Sequence, residues 1–320
     1  MAWVARVLGA GALIVVGWAA ATGWPAIWHG HPAYEILLAV TAVVAAFVVR
    51  RGTRHQGAAN DGGAGLAAST RPRSARRVLK VLVAVLAVGW LAGLVYLRPF
   101  SATEPALAAM RSDGAVTVTE SATQIVLRPT GTPDATGVFF QPGAKVEARA
   151  YAAVLRPLAQ AGHPVIITKQ PLGIAFLATS AFAQARSAHP EITHWVVGGH
   201  SLGGVVAATD AEAHDGDATG RVTGLLLYAS YPASDLSTKL ACPVLSVSAG
   251  NDHLATPGKI ANSQLTLPPA TRFTVVTGAV HASFGDYGPQ PGDGTPTITH
   301  DEAREQISAA TLAFVSGPAH

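Results

Sequence analysis

At 320 residues the chain has room for one large domain or two smaller pieces, yet only 13% of it is charged, against about 25% in ordinary soluble domains. That shortage, with a mean hydropathy of +0.31 and apolar residues crowded into the first hundred positions, is most simply explained by a membrane portion. The net charge of +3 does not argue for nucleic acid as a partner, because much of the basic excess sits in one short segment, residues 50–77, where it reads as membrane topology.

Three apolar segments come first. Residues 3–24 are interrupted only by Arg6, residues 34–49 only by Glu35, and residues 78–97 only by Lys80, each charge lying near an end. Spanning a hydrocarbon core takes about 20 helical residues, so the first and third qualify and the second is marginal. None shows the polar face of a helix on a globular surface. Between the second and third lie Arg50, Arg51, Arg54, Arg71, Arg73, Arg76 and Arg77, with Asp61 as the only acid, while residues 23–33 carry no Lys or Arg. By the positive-inside rule the basic loop is cytoplasmic and everything after Arg98 is extracytoplasmic. The Gly/Ala/Ser-rich stretch 57–70 is expected to be linker. Ala19, Ala20 and Ala21 also suit a signal-peptide processing site, and removal of the first segment leaves the same orientation. The expected organisation is a multi-pass anchor over residues 1–100 and a second domain over 101–320.

From Ser101 the pattern changes to short β-rich runs separated by helical stretches, which implies a mostly parallel sheet covered by helices. Strands are expected at 116–119 and 124–128 as an opening pair, then at 137–141, 165–169, 195–198, 224–229, 244–249 and 273–277. Helices are expected at 146–161, 175–187, from 202 onward, and at 302–315. Cys242 is the only cysteine, so no intrachain disulfide forms; ahead of Pro243 and an apolar run, it suits a small buried residue at a strand entrance.

Gly199-His200-Ser201-Leu202-Gly203 matches G-x-S-x-G, the strand-to-helix elbow that exposes a nucleophilic serine. With 33 glycines in the chain, about 0.2 such matches arise by chance, so the motif alone carries little. Its position carries more, since a short apolar strand precedes it and a helical run follows. A serine hydroxyl needs a histidine base, and the histidine needs an acid to hold its tautomer. In the order serine, acid, histidine, Asp252 follows the 244–249 strand and His281 follows the 273–277 strand, both at C-terminal strand ends, where open α/β sheets build their sites. The rival acids are Asp286, which comes after the histidine, and Asp235, which comes before the penultimate strand; the rival histidines are His253, beside the acid, and His300, far along the tail. His200, one residue from the nucleophile, has poor geometry for a base and is read as an orienting or packing residue. The oxyanion hole calls for the Leu202 N–H and a second N–H from the loop Gln141-Pro142-Gly143-Ala144, from Gly143 or Ala144. No ligand cluster at metal-binding spacing is present in the sequence, so no metal or other cofactor is expected.

Phe139-Phe140-Gln141-Pro142-Gly143, residues 151–158, residues 198–204 and the run from His281 to Gly288 make residues 115–315 resemble a bacterial family of small α/β-hydrolases. The resemblance implies the α/β-hydrolase fold and the same Ser201, Asp252 and His281 assignment, without naming a substrate. Ala144 and Lys145 depart from it, standing in place of a second glycine and an apolar residue. Residues 230–241 are too few for the helical lid many lipases insert there, and the Gly/Pro-rich loop 285–299 is expected to cover part of the site. The leading expectation is a serine hydrolase acting on a small acyl ester, thioester or lipid-like substrate. Acyl transfer to an envelope lipid or sugar and a non-catalytic binding module are the alternatives.

Overall fold

The computed structural model describes residues 2–59 and 73–317, with side chains described over 3–51 and 77–317. It divides into two compact units, Met1–Ile27 with Pro32–Arg98, and Trp28–His31 with Pro99–His320.

The first unit is helical: α1 (Ala2–Trp28), α2 (Pro32–Ala59) and α3 (Arg73–Tyr96). Each contains a stretch long and apolar enough to cross a membrane, Trp3–Trp28, Pro32–Arg51 and Arg77–Tyr96. Such runs fold as helices because a helix satisfies every backbone donor and acceptor internally. Large apolar side chains such as Ile14, Val43, Val81 and Leu86 point outward with nothing covering them. α2 and α3 are joined by Tyr34 Oη donating to the Leu94 carbonyl at 2.7 Å and by Trp90 Nε1 donating to Thr41 Oγ1 at 3.0 Å. Helix boundaries differ from expectation at the end of α1 and on both sides of the basic segment. α1 runs through Pro25 to Trp28, past Trp24, since proline removes one N–H but keeps a helical φ. The basic segment is partly helical: α2 carries Arg50, Arg51 and Arg54, and α3 begins at Arg73, arginine and alanine being good helix formers. The expected linker at 57–70 overlaps the last turn of α2 and beyond Ala59 lies outside the described residues.

The second unit is built on an eight-stranded sheet. In chain order it contains α4 (Ala106–Ala109), β1 (Val116–Glu120), β2 (Gln124–Pro129), β3 (Thr136–Gln141), α5 (Ala152–Gln160), β4 (Val165–Thr168), α6 (Ala181–Ala188), β5 (His194–His200), α7 (Leu202–His214), β6 (Arg221–Tyr228), β7 (Val244–Ala249), α8 (Pro257–Ser263), β8 (Arg272–Val276) and α9 (His300–Val315). The sheet order is β1-β2-β4-β3-β5-β6-β7-β8. β2 is antiparallel to β1 and to β4, and all pairs from β4 onward are parallel.

Alternation along the strands sorts the core into two layers, as a period of two requires. Val138, Phe140, Val196, Leu226, Tyr228, Leu245 and Val247 face one side, where α5 and α9 supply Leu155, Leu158 and Ile307. Phe139, Ile166, Trp195, Val197, Leu225, Leu227 and Val244 face the other, where α6 and α7 supply Phe182, Ala207 and Ala211. Burial on both faces explains why these strands read as continuous apolar runs. The C-terminal ends of the parallel strands, Gln141, His200, Tyr228, Ala249 and Val276, line one edge.

The helix expected at 175–187 forms only from Ala181, because Pro171–Gly173 and Ala175–Leu177 make short 3₁₀ turns, with Leu172 and Gly173 at φ 56° and 65°. The helix expected at 146–161 opens with a 3₁₀ turn, Ala148–Tyr151. α8 was not foreseen; Thr256 caps it, accepting from the Lys259 N–H at 3.4 Å, and Pro257 opens its first turn. Between β6 and β7 no helix or strand intervenes, so no lid is inserted there.

Candidate active site

Ser201 stands between the end of β5 and the start of α7 at φ 51° and ψ −121°, a region that residues other than glycine avoid. Holding it there costs about 1–3 kcal/mol, so the surroundings must over-determine it. They do. The Ser201 N–H donates to the Tyr228 carbonyl at 2.9 Å, and its own carbonyl accepts from Ser230 Oγ at 2.7 Å and the Gly204 N–H at 3.0 Å. The flanking glycines are steric necessities. A Cβ on Gly199 would lie 2.4 Å from the Gly203 carbonyl carbon, and one on Gly203 would lie 2.1 Å from the Gln141 carbonyl oxygen. α7 can therefore pack its first turn directly against the end of β3.

Asp252 lies in the turn after β7 and is 1% exposed. Its Oδ1 accepts from the Leu254 and Ala255 N–H groups at 2.7 and 2.8 Å, and its Oδ2 meets His281 Nδ1 at 2.8 Å. His281, 2% exposed, opens the 3₁₀ turn His281–Phe284 after β8. A carboxylate on Nδ1 fixes the ring and leaves Nε2 as the nitrogen available for proton transfer. The turn is pinned from behind by Asp293, whose Oδ1 accepts from the His281 N–H at 3.1 Å and whose Oδ2 accepts from the Ala282 N–H at 2.8 Å. The His281 ring packs on that of His200, next to Ser201 in the chain, with centroids 4.5 Å apart.

The rival residues go elsewhere. Asp286 is buried between Arg304 at 2.8 Å and His300 at 3.0 Å, and Asp235 accepts from the Ser237 N–H at 2.9 Å. His253 is exposed. Burial pushes the Cys242 thiol up to about 12, in keeping with an inert core position at the entrance to β7.

Leu202 and Ala144 each present a main-chain N–H that, among the described residues, donates to no protein acceptor. The Gly143 N–H is already taken, donating to Tyr151 Oη at 2.9 Å. Tyr151 Oη also bonds His200 Nδ1 at 2.8 Å. Burial holds His200 well below its ordinary value, so its ring is neutral, and burial raises the Tyr151 phenol. Beneath the loop, Gln141 Nε2 donates to Asp210 Oδ2 at 2.8 Å, and burial pushes the Asp210 carboxyl up to about 7 despite that bond.

Sequence reasoning overlooked three of these residues: Tyr151, Ser230 and Asp293. The only available signals were a tyrosine just past the Gly143 loop and an acid between Gly292 and Gly294.

The alpha/beta hydrolase family model matches residues 137–305, more than half of the chain, spanning the strained serine, the Asp252–His281 pair and the Gly143 loop. A search of curated proteins found no match. Among solved structures, an esterase from Pyrobaculum calidifontis is similar at 14% identity, covering 68% of this chain and 91% of its own, with a TM-score of 0.47. A thermostable esterase from Pseudomonas putida is similar at 16% identity over 67% and 87%, TM-score 0.46. The esterase domain of a Rhodothermus marinus protein is similar at 15% identity over 62% and 97%, TM-score 0.46. By its sheet order and by the family match, this chain belongs to the alpha/beta hydrolase family.

Proposed function

We propose that the chain is a membrane-anchored serine hydrolase that cleaves a carboxylic ester or thioester through an acyl-enzyme on Ser201. The observation that carries this reading is the buried Asp252–His281 pair packed against His200, the residue before a serine held at a strained φ. Ser201 Oγ attacks the acyl carbon while His281 Nε2 takes its proton, and Asp252 holds the imidazole in the needed tautomer and stabilises its charged form. The tetrahedral oxyanion accepts from the N–H groups of Leu202 and Ala144, the first at the N-terminus of α7, where the helix dipole adds to the attraction. The imidazolium then gives its proton to the leaving alcohol or thiol. Water, activated by the same imidazole, releases the acid and restores Ser201.

The three apolar helices support an anchor, and the arginines between the second and third support placing the catalytic unit outside the cytoplasm. Protease added to intact cells should trim that unit; trimming only after lysis would reverse the orientation.

Full-length protein in detergent should hydrolyse p-nitrophenyl esters, and S201A should reduce the rate to background. Equal rates for the two would overturn the reading. A series of acyl lengths would then bound the acyl pocket, and the ratio of new ester to free acid at low alcohol concentration would measure how the acyl-enzyme partitions between transfer and hydrolysis.

A further inference from the structure

We propose that Tyr151 and His200 form a positioning pair that aims the Ala144 N–H at the reacting carbonyl oxygen. This rests on the hydrolase reading above and adds two residues to its machinery.

A phenol has one O–H to give and two lone pairs. Tyr151 Oη accepts from the Gly143 N–H at 2.9 Å and lies 2.8 Å from His200 Nδ1, its one other partner among the described residues, so we assign the buried phenol proton to that contact. That arrangement makes His200 Nδ1 an acceptor and places its ring proton on Nε2. Nε2 is buried and, among the described residues, meets no hydrogen-bond partner. Burial keeps the ring neutral, so one of its nitrogens is an acceptor, and the phenol proton selects Nδ1.

The Gly143–Ala144 peptide is thereby held at both sides. The N–H before it is fixed by Tyr151, and its own carbonyl accepts from the Val146 N–H at 3.1 Å. In a trans peptide the N–H points opposite to the carbonyl. Fixing the Gly143 carbonyl therefore fixes the direction of the Ala144 N–H, which donates to no protein acceptor among the described residues.

Packing tightens the same lock. A Cβ on Gly143 would stand 2.7 Å from His200 Nδ1 and 3.1 Å from Tyr151 Oη, so the pair fits only against a glycine. The Tyr151 ring lies against Phe140, centroids 5.0 Å apart. His200 stacks on Phe284 at 5.5 Å and packs on His281 at 4.5 Å. One neutral imidazole thus touches the serine elbow, the oxyanion loop through Tyr151, and the proposed base. Both side chains are buried, so they act through the main chain they hold.

The test uses full-length protein in detergent, with kcat and KM for a p-nitrophenyl ester and Tm by intrinsic fluorescence. Y151F leaves the Gly143 N–H without an acceptor and His200 without its donor. H200L removes the acceptor for Tyr151, whereas H200N restores one, because an Asn carbonyl oxygen can stand where Nδ1 stood. Y151F and H200L should lower kcat by about 10- to 100-fold with KM within about twofold, as expected when an oxyanion donor is misaimed. H200N should recover most of the H200L loss at the same KM. Wild-type kcat in Y151F, or equal kcat in H200N and H200L, would overturn the proposal. If Y151F does not fold, the two His200 variants decide the matter alone. A wild type without turnover would instead refute the hydrolase reading, so the two failures are distinguishable.

Discussion

Replacing Asp252 separates its chemical role from its structural one, because its two oxygens do different work. Oδ1 accepts two main-chain N–H groups, and Oδ2 alone meets His281. In D252N the amide oxygen can keep both main-chain bonds, but the amide NH₂ then faces His281 Nδ1 and moves the ring proton to Nε2, the nitrogen that the proposed mechanism needs as base. A wrong tautomer at such a site costs about 10⁴ in kcat, or ~5.5 kcal/mol. D252A loses that and also strips two buried N–H groups of a charged acceptor, worth about 1.5–3 kcal/mol each, so roughly 3–6 kcal/mol of stability. At about 2–4 °C per kcal/mol, its Tm should fall by at least ~6 °C, while D252N should stay within a few degrees of wild type. Ester turnover and thermal melts on the same preparations read both quantities. D252N retaining more than a tenth of wild-type kcat, or matching D252A in Tm, would refute the division of labour.

Three further outcomes follow from particular contacts. G203A drives a methyl into the Gln141 carbonyl, 2.1 Å away, so α7 or the end of β3 must move; a stability loss of about 1–3 kcal/mol and at least a tenfold drop in kcat are expected, measured by melts and turnover. D293A frees the His281 and Ala282 N–H groups and should lower kcat about tenfold, whereas D293N, which keeps one acceptor, should fall between it and wild type in the same assay. For Asp210 the folded value, about 7, lies above the ordinary 3.8, so the folded state holds its proton more tightly than the unfolded chain. Stability from this group is therefore fullest below 3.8 and is lost as pH rises to about 7, up to a ceiling of ~4 kcal/mol. D210N should lack that limb, gaining little in Tm at pH 4 and most at pH 8; parallel Tm curves for mutant and wild type would refute the assignment.

The parts of this molecule that could be read from its sequence are those encoded locally or by chain order. The elbow is legible because glycine, serine and glycine at fixed spacing follow an apolar strand. Asp252 and His281 are legible because each follows a β-run at the edge where parallel strands end. Tyr151, Ser230 and Asp293 were not, because their partners are set by folding: Tyr151 meets His200, 49 residues away, and Ser230 meets the Ser201 carbonyl across 29 residues. Nor could spacing tell that the Gly143 N–H is taken; that depends on where a phenol from the next turn places its oxygen. The late start of α6 has a similar cause, since positive φ at Leu172 and Gly173 follows from packing against the Lys145 main chain, whose N–H donates to the Gly173 carbonyl at 2.7 Å.

If Ser201 is an activated nucleophile, a fluorophosphonate should label it covalently on the full-length protein, with the site located by peptide mass mapping. One adduct on the peptide containing Ser201, absent in S201A and formed far more slowly in D252N, is the predicted result. No adduct on wild type, or an adduct that persists in S201A at another serine such as Ser230, would show that Ser201 is not the nucleophile.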